Sequence, residues 1–243
     1  MARVLDDELA LAAKEGTPPA ELVRRLLSAE AAAATQRRIA RRIDDATLPE
    51  RKLIADYDFA FQTGVDKAQV LELATLGFIE RKQSLILAGN SGTGKSHIAK
   101  ALLLTACQRQ MRCRYTTSAD MLRYLLAGLC DDSLVDRLKN YISPDVLVID
   151  ELGLDRIEHD SGARKAALFH KVVEGRYGKR STILTTNVDF AELGAYLGDA
   201  LTTTSTVDRL IHHAIIVNIQ GPSWRMHESE LINRAQPAAG GKP

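Results

Sequence analysis

The sequence predicts an α/β protein with a five-stranded parallel sheet between helices, preceded by a small α-helical N-terminal domain. From Ser84 onwards, short apolar runs that suit strands alternate with segments of helical periodicity, which is typical of a parallel sheet covered on both faces. A glycine-rich turn follows the first of these runs, and a long helix-forming segment precedes them all. The expected strands are residues 84–88, 112–117, 145–150, 181–186 and 214–219.

The segment "TPPAELVRRLLSAEAAAATQRRIARRIDDA" is predicted to form one long helix. Thr17 is its expected N-cap, because the prolines after it lie in the first turn, where a missing amide proton costs nothing. With about 100° of rotation per residue, Ile39 and Ile43 form a stripe on one side of this helix. The other side is covered by four arginines: Arg37, Arg38, Arg41 and Arg42.

Composition limits the class of protein. A formal net charge of +1 over 243 residues gives no global indication of a nucleic-acid partner, so any such surface would have to be local. The three cysteines lack paired metal-ligand spacing and no secretory leader is evident, which indicates reduced thiols in a cytoplasmic protein. No apolar stretch approaches the length that spans a membrane. The expected domains are a helical region at 1–56, the main domain at 57–234 and a disordered tail at 235–243.

The turn "GNSGTGKS" has the spacing of a P-loop, which binds a nucleoside triphosphate. Its glycines let backbone amides face a polyphosphate at a helix N-terminus. Lys95 would then reach the β- and γ-phosphates, and the Ser96 hydroxyl would bind Mg²⁺. The sequence therefore predicts ATP and Mg²⁺ as cofactors. The predicted nucleotide-binding residues are Gly89, Asn90, Ser91, Gly92, Thr93, Gly94, Lys95, Ser96, His97 and, further along the chain, Asp150.

The stretch "DVLVIDELG" ends an apolar strand with two carboxylates. Asp150 can hold magnesium through water, so it is predicted, with Ser96, as a metal-binding residue. Glu151 follows it, and a carboxylate there can deprotonate an attacking water, the general-base task in hydrolysis. Small-molecule kinases need no such base, because their substrate is the nucleophile. Residues 150–153 also fit the DxxG pattern of GTPases, but the guanine-reading NKxD pattern is absent, so we expect an ATPase.

The stretch "STILTTN" is a β-branched run that suits a central strand, and Asn187 ends it. If this strand lies beside the P-loop strand, the Asn187 amide could hold the attacking water against the γ-phosphate. An asparagine in a strand-to-helix turn is also common without any such role. Joined to the two preceding motifs, the sensing role is the better hypothesis.

Together these motifs resemble those of AAA+ ATPases of the helicase-loader and transposition-helper branch. The chain is most similar to the IstB-type ATP-binding proteins of insertion sequences, with DnaC-type helicase loaders as cousins. The resemblance runs from the basic N-terminal helix to about Glu230 and rests on "GNSGTGKSHIAKAL", "VLVIDELG", "GRYGKRSTILTTN", "VDRLIHHA" and "GPSWR". It implies that the main domain is an AAA+ P-loop NTPase core.

The resemblance also implies roles for two arginines. Arg209 in "VDRL" matches the arginine finger that such proteins offer to a neighbouring subunit's ATP, and Arg225 in "SWR" matches the second sensor, which contacts phosphate in its own subunit. Trp224, usually Tyr in relatives, is expected to pack in the core beside that sensor. A site completed by a neighbour implies a head-to-tail homo-oligomer, either a ring or a helical filament.

The implied partners are double-stranded DNA and a transposase, with ATP hydrolysis controlling disassembly or target release. The expected DNA contacts are Arg37, Arg38, Arg41, Arg42, Arg123, Lys139 and Arg156. The N-terminal arginines could equally pair with acidic residues of a partner subunit, because residues 1–56 hold as many acidic as basic side chains. The alternatives are a helicase loader that prefers single-stranded DNA, and an ATP-binding scaffold without activity. The basic helix and the absence of a cysteine-ligated zinc module argue against the first, and Glu151 and Arg209 argue against the second.

Overall fold

Five parallel strands form a single sheet in the computed structural model, which describes residues 2–153, 162–188 and 200–235. The strands are β1 (Ser84–Gly89), β2 (Cys113–Thr117), β3 (Val146–Leu152), β4 (Ser181–Thr186) and β5 (Ala214–Ile219). Their order across the sheet is β2-β3-β4-β1-β5. The predicted fold class is confirmed, and the predicted strands differ from the observed ones only at their ends.

Helices cover both faces of this sheet and build the N-terminal region. They are α1 (Ala2–Glu15), α2 (Pro19–Asp45), α3 (Lys67–Ala74), α4 (Gly77–Glu80), α5 (Lys95–Gln108), α6 (Ser118–Ala127), α7 (Leu134–Ile142), α8 (Gly162–Arg176), α9 (Ala200–His212) and α10 (Trp224–Ala235). A short 3₁₀ turn, Ile54–Asp56, lies between α2 and α3. Among the described residues, no helix is long and apolar enough to cross a membrane.

The strand order brings the three predicted motifs to one edge of the sheet. Strand β1 lies between β4 and β5, so that Leu87 is in register with both Thr185 and Val217. Strand β4 pairs on its other side with β3, which carries the two carboxylates. Since all strands are parallel, the P-loop, the carboxylates and Asn187 all follow the carboxyl ends of neighbouring strands, where open α/β sheets bind ligands.

Two apolar clusters, one on each face, hold the sheet. Helix α5 packs on one face through Ile98, Leu102 and Leu103, all fully buried. Helices α6 and α8 pack on the other face, with Met121 and Phe169 fully buried there. Burial on both faces explains why the strands are continuous apolar runs rather than alternating ones.

Helix α1 was not predicted, and its presence changes the role of Thr17. Gly16 follows α1 with a left-handed φ of 65°, and the Thr17 amide donates to the Ala12 carbonyl at 3.0 Å. This is the arrangement that closes a helix C-terminus. The prediction that Thr17 caps α2 is therefore wrong: Pro18 is the N-cap, without a side-chain hydrogen bond, although Pro19 does lie in the first turn.

Helix α2 is attached to the main domain by its C-terminal end. No residue within α2 is buried, whereas Ala46, directly after it, is fully buried. Ile43 packs against the core cluster and the other stripe residue, Ile39, is half-buried. Of the predicted basic side, three arginines are exposed, but Arg42 is half-buried like the two isoleucines, and most of this helix remains exposed.

Two predictions lie outside the described residues. One is Arg156, expected to contact DNA, and the other is the tail at residues 236–243. The first residue of the predicted tail, Ala235, is the last residue of α10.

Candidate nucleotide-binding site

The P-loop forms the turn between β1 and α5, and two of its glycines are required by close packing. Gly89 has a φ of 139°, and a Cβ atom there would lie 2.1 Å from the Ile219 carbonyl oxygen. Gly94, the N-cap of α5, has a φ of 90°, and a Cβ atom there would lie 2.5 Å from the Tyr57 ring. Larger residues at these positions would displace the loop from its neighbours, because both the backbone and the space exclude them.

The Lys95 side chain lies over the loop that it is predicted to serve. Its Nζ atom donates to the carbonyl oxygens of Gly89 at 2.8 Å and Asn90 at 2.6 Å. Burial lowers the pKa of Lys95, while the nearby Asp150 carboxylate acts in the opposite direction. A buried ammonium held only by two neutral carbonyls would gain from an anionic ligand, which is what a polyphosphate supplies.

Asp150 is almost fully buried and accepts hydrogen bonds from three hydroxyl groups. Ser96, in the first turn of α5, donates to Oδ1 at 2.8 Å, and Thr185 in β4 donates to the same oxygen. Tyr115 in β2 donates to Oδ2 at 2.6 Å. The contact between Ser96 and Asp150 brings together the two residues that were predicted to bind the metal.

Glu151 is exposed and has a left-handed backbone with a φ of 62°. Two hydroxyl groups hold this conformation: the Glu151 amide donates to Thr185 Oγ1 at 2.9 Å, and Ser118 Oγ donates to the Glu151 carbonyl at 3.0 Å. The pairing of β3 with β4 also shifts register between Ile149 and Leu152. This irregularity turns the Glu151 side chain out of the sheet, towards the cleft.

A cleft of about 480 Å³ collects the predicted residues, which is within the size range of small-ligand sites. P-loop residues 91–97 line it, together with Glu151, Asn187 and Arg225. Asp150 borders the adjoining cavity on the β2 side, which also reaches Ser96, Glu151 and Arg225. The predicted P-loop, carboxylate and sensor residues therefore meet in one place.

Arg209 is the one predicted catalytic residue that does not line this cleft. Its guanidinium donates to the Ser205 carbonyl at 3.1 Å and to the Ser205 hydroxyl, and lies 3.8 Å from a Glu174 carboxylate oxygen. These partners belong to α8 and α9. The separation from its own P-loop is what a residue acting on a neighbour's site would require.

The segment between α2 and α3 contributes residues that the sequence analysis did not assign. Tyr57 Oη donates to the Thr93 carbonyl at 3.0 Å, and Gln62 Nε2 lies 3.3 Å from the same oxygen. Burial raises the pKa of Tyr57 to about 12, so its hydroxyl stays protonated at neutral pH. His97 also faces this segment, with Nε2 2.8 Å from the Leu53 carbonyl. The density of aromatic residues in "DYDFAF" was the available signal for a packed segment.

Trp224 does not pack in the core as expected. Its side chain is 40% exposed, contacts Phe61 edge-on with ring centroids 5.0 Å apart, and lines the cleft. The reason is that α10 begins at this residue and its first turn is held against the P-loop, where the Trp224 amide donates to the Gly92 carbonyl at 3.0 Å.

The described residues predicted to contact DNA are exposed, except for Arg42, which is half-buried. Arg37 pairs with Glu30 at 2.6 Å, Arg123 with Asp120 at 3.0 Å and Lys139 with Asp136 at 2.8 Å. Exposed pairs of this kind contribute about 0–1 kcal/mol, so they do not prevent these side chains from binding a phosphate instead.

A family model described as IstB-like ATP binding protein matches residues 1–231. The chain belongs to this family. The match includes the N-terminal helices as well as the α/β domain, so the whole described arrangement, rather than the P-loop alone, corresponds to the family.

Individual relatives agree with this assignment. The chain is 35% identical over 216 residues to the ATP-binding protein of insertion sequence IS5376 from Geobacillus stearothermophilus, a match that covers 89% of this chain and 84% of the relative. It is 36% identical over 193 residues to the ATP-binding protein of insertion sequence IS21 from Pseudomonas aeruginosa, covering 79% and 71%.

Solved structures with the same fold come from DNA replication proteins. The crystal structure of the DnaC helicase loader matches with a TM-score of 0.53 at 21% identity, over 72% of this chain and 97% of that one. The replication initiator DnaA, solved with AMPPCP and single-stranded DNA, matches with a TM-score of 0.59 at 17% identity, over 79% and 58%. At these identities the likeness concerns the fold alone.

Proposed function

We propose that this IstB-like protein is a Mg²⁺-dependent ATPase that assembles on double-stranded DNA and assists a transposase in target selection and strand transfer. The observation that carries the proposal is the set of residues that line the cleft. P-loop residues 91–97, Glu151, Asn187 and Arg225 line one cleft, and Asp150 borders the cavity beside it, whereas the predicted arginine finger, Arg209, lines neither. The names of the relatives, ATP-binding proteins of insertion sequences, support the transposition setting.

Mg²⁺ fits the oxygen donors at the carboxyl edge of the sheet. Ser96 Oγ and Asp150 Oδ1 are 2.8 Å apart, and hydroxyl and carboxylate oxygens next to a phosphate site are the ligands that Mg²⁺ prefers. When bound, the ion neutralises charge on the phosphates. Ser96 and Asp150 would hold it, with Lys95 against the β- and γ-phosphates.

Hydrolysis would use the exposed carboxylate beside this site. Glu151 takes a proton from the water that attacks the γ-phosphorus, and Asn187 orients that water. Arg225 lines the cleft and would contact phosphate from within the same subunit. The products are ADP and inorganic phosphate.

Arg209 of a neighbouring subunit would complete the site. The guanidinium offsets the charge on the γ-phosphoryl group in the transition state, an effect of about 10³- to 10⁵-fold in NTPases that use one. A heterologous contact of this kind repeats from subunit to subunit and gives a ring or an open helical filament. ATP at each joint stabilises the assembly, because the ligand binds the associated state better.

DNA would be bound through its phosphates by the exposed basic residues of α2, α6 and α7. Such contacts are sequence-independent and weaken as salt increases. Cutting and joining of DNA would belong to the partner transposase.

Sedimentation of the purified protein with a duplex of about 50 base pairs tests the proposal, because a duplex of that length, at ~3.4 Å per base pair, leaves room for several subunits. The runs would contain ATP, ADP or no nucleotide, and single-stranded DNA of equal length would run in parallel. A large complex formed only with ATP and duplex is the expected result. A protein that stays small on duplex, or prefers single strands, would contradict the proposal and favour a helicase loader.

A further inference from the structure

Tyr115 connects the end of α2 with the carboxylate that is proposed to hold magnesium. Its amide donates to the Ala46 carbonyl at 2.8 Å, and its own carbonyl accepts from Thr47 Oγ1 at 2.9 Å. At the other end of the residue, the hydroxyl donates to Asp150 Oδ2 at 2.6 Å. One residue of β2 thus contacts the N-terminal region through its backbone and the nucleotide site through its side chain.

The environment of Tyr115 keeps its hydroxyl a donor. The side chain is half-buried, and its hydroxyl lies 2.6 Å from Oδ2 of the Asp150 carboxylate, which can only accept. The Lys100 ammonium lies 5.7 Å from the ring centroid and packs over its face. A short hydrogen bond from a phenol to a carboxylate is charge-assisted and directional, so it restricts the rotation of Asp150.

The bond from Tyr115 is not duplicated by the other partners of Asp150. Ser96 and Thr185 both donate to Oδ1, whereas Tyr115 donates to Oδ2. Ser96 would itself contact the metal ion. Removing the Tyr115 hydroxyl would therefore leave Oδ2 without the donor that sets its direction.

The attachment of α2 gives this bond a second consequence. Helix α2 has no buried residue, and the residues directly after it are bonded to Tyr115, with Ala46 fully buried. A displacement of α2 would therefore act on the main domain at α5, where Cys107 Sγ contacts the Arg42 carbonyl, and at β2, where Ala46 and Thr47 bond the residue that donates to Asp150.

We propose that Tyr115 is a positioning residue for Asp150 and that it couples the position of α2 to magnesium-dependent nucleotide binding. The inference rests on the proposed function and extends it, because it assigns a route by which the N-terminal helix acts on the nucleotide site. Tyr115 does not touch the reacting atoms and acts through Asp150.

The first experiment measures equilibrium binding of a fluorescent ATP analogue by the full chain as Mg²⁺ is titrated, without turnover. Tyr115→Phe keeps the ring under Lys100 and removes only the hydroxyl. We expect the half-saturating Mg²⁺ concentration to rise about tenfold, as for other groups that orient a metal ligand. Tyr124→Phe is the matched control, since that hydroxyl accepts from Asn140 and not from the site, and it should match the wild type.

The second experiment tests the coupling with Thr47, whose hydroxyl bonds the Tyr115 carbonyl. Thr47→Val should raise the half-saturating Mg²⁺ concentration about two- to threefold, as expected for one lost hydrogen bond, and Thr47→Ser should restore it. Combined with Tyr115→Phe, Thr47→Val should add nothing, because both changes act through the same bond to Asp150.

The outcomes separate this inference from the function on which it rests. A wild type that binds no nucleotide in a Mg²⁺-dependent way would overturn the proposed function. A wild type that does bind it, with Tyr115→Phe unchanged or requiring less Mg²⁺, would overturn the positioning role alone. Fully additive effects of the Thr47 and Tyr115 substitutions would overturn the coupling. If Tyr115→Phe does not fold, the comparison of Thr47→Val with Thr47→Ser still decides.

Discussion

Glu151 has a backbone conformation that residues other than glycine rarely adopt, and it is the residue proposed to activate the attacking water. A left-handed conformation at a non-glycine residue costs about 1–3 kcal/mol and persists only when its surroundings enforce it. Here Thr185 and Ser118 bond the Glu151 amide and carbonyl, and the β3–β4 register shift accommodates the turn. The strained backbone aims the carboxylate into the cleft rather than into the sheet.

Replacing Glu151 with Gln should separate ATP binding from hydrolysis. The amide keeps the size and position of the side chain but cannot accept a proton from water. We expect turnover to fall by about 10²- to 10⁴-fold with ATP binding retained, so that an ATP-loaded assembly accumulates. Phosphate release and nucleotide retention would be measured on the same samples, and unchanged turnover would exclude Glu151 as the base.

Thr185 should affect turnover as well as the stability of the fold, because its hydroxyl accepts from the Glu151 amide and donates to the Asp150 carboxylate. Thr185→Val keeps the shape but leaves the Glu151 amide without its acceptor and removes one donor to buried Asp150. We expect the free energy of unfolding to fall by about 1–3 kcal/mol and turnover to fall further than that loss explains. Thr116→Val, which removes a buried hydroxyl from β2, is the control. Equal turnover losses in the two variants would contradict the positioning role.

At the scale of elements, the junction of α7, α8, β3 and β4 is held by a buried arginine. Arg176, at the end of α8, is 1% exposed and donates to the carbonyls of Tyr141, Ile142, Pro144 and Ser181 and to the Thr182 hydroxyl. Burial lowers its pKa to about 9, so the guanidinium remains charged at neutral pH. The planar group bonds carbonyls at the C-terminal end of α7, in the loop after it and at the start of β4.

Arg176→Met should therefore destabilise the fold without touching the cleft. Several buried carbonyls would lose their donor, and we expect the free energy of unfolding to decrease by about 2–4 kcal/mol. Arg180 provides the control, because it also donates to the Ile142 carbonyl, at 2.8 Å, but is only half-buried. Urea denaturation of Arg180→Met should show a loss below about 1 kcal/mol. Equal losses for the two variants would contradict the role given to Arg176.

For the whole molecule, the location of Arg209 makes a head-to-tail assembly testable by mixing variants. Lys95→Ala should abolish the variant's own nucleotide site but leave its Arg209 available. Arg209→Ala should keep its nucleotide site but lack the finger, with activity about 10³-fold below the wild type. An equimolar mixture should recover about one quarter of the wild-type rate. This is the fraction of subunit interfaces at which an Arg209→Ala subunit supplies the nucleotide site and a Lys95→Ala subunit supplies Arg209.

The mixture distinguishes a site that two subunits share from a site formed within one subunit. The controls are the two variants assayed separately, each at the total protein concentration of the mixture, and both should remain inactive. A mixture no more active than its components would show that Arg209 does not act on a neighbour's ATP.

The sequence by itself determined the parallel sheet, the P-loop and the identity of the two carboxylates. These signals are local: apolar runs of strand length, glycines at fixed spacing before a helix, and acidic residues at the end of an apolar run. Asn187 could be assigned only on the assumption that its strand neighbours β1, and the observed pairing of β1 with β4 supplies that neighbour.

Only the tertiary structure decided what surrounds these motifs. Tyr57, Tyr115 and Thr185 lie in different parts of the chain, and although the segments around Tyr57 and Thr185 carry sequence signals, nothing local marks these three side chains as partners of the P-loop and of Asp150. Likewise, Thr17 is a residue type that often caps a helix N-terminus, but its amide bonds the last turn of α1, a helix that was not predicted. Trp224 is a residue type that usually packs in the core. Hydrogen bonds between distant segments depend on strand order and helix placement, and neither is encoded within a window of a few residues.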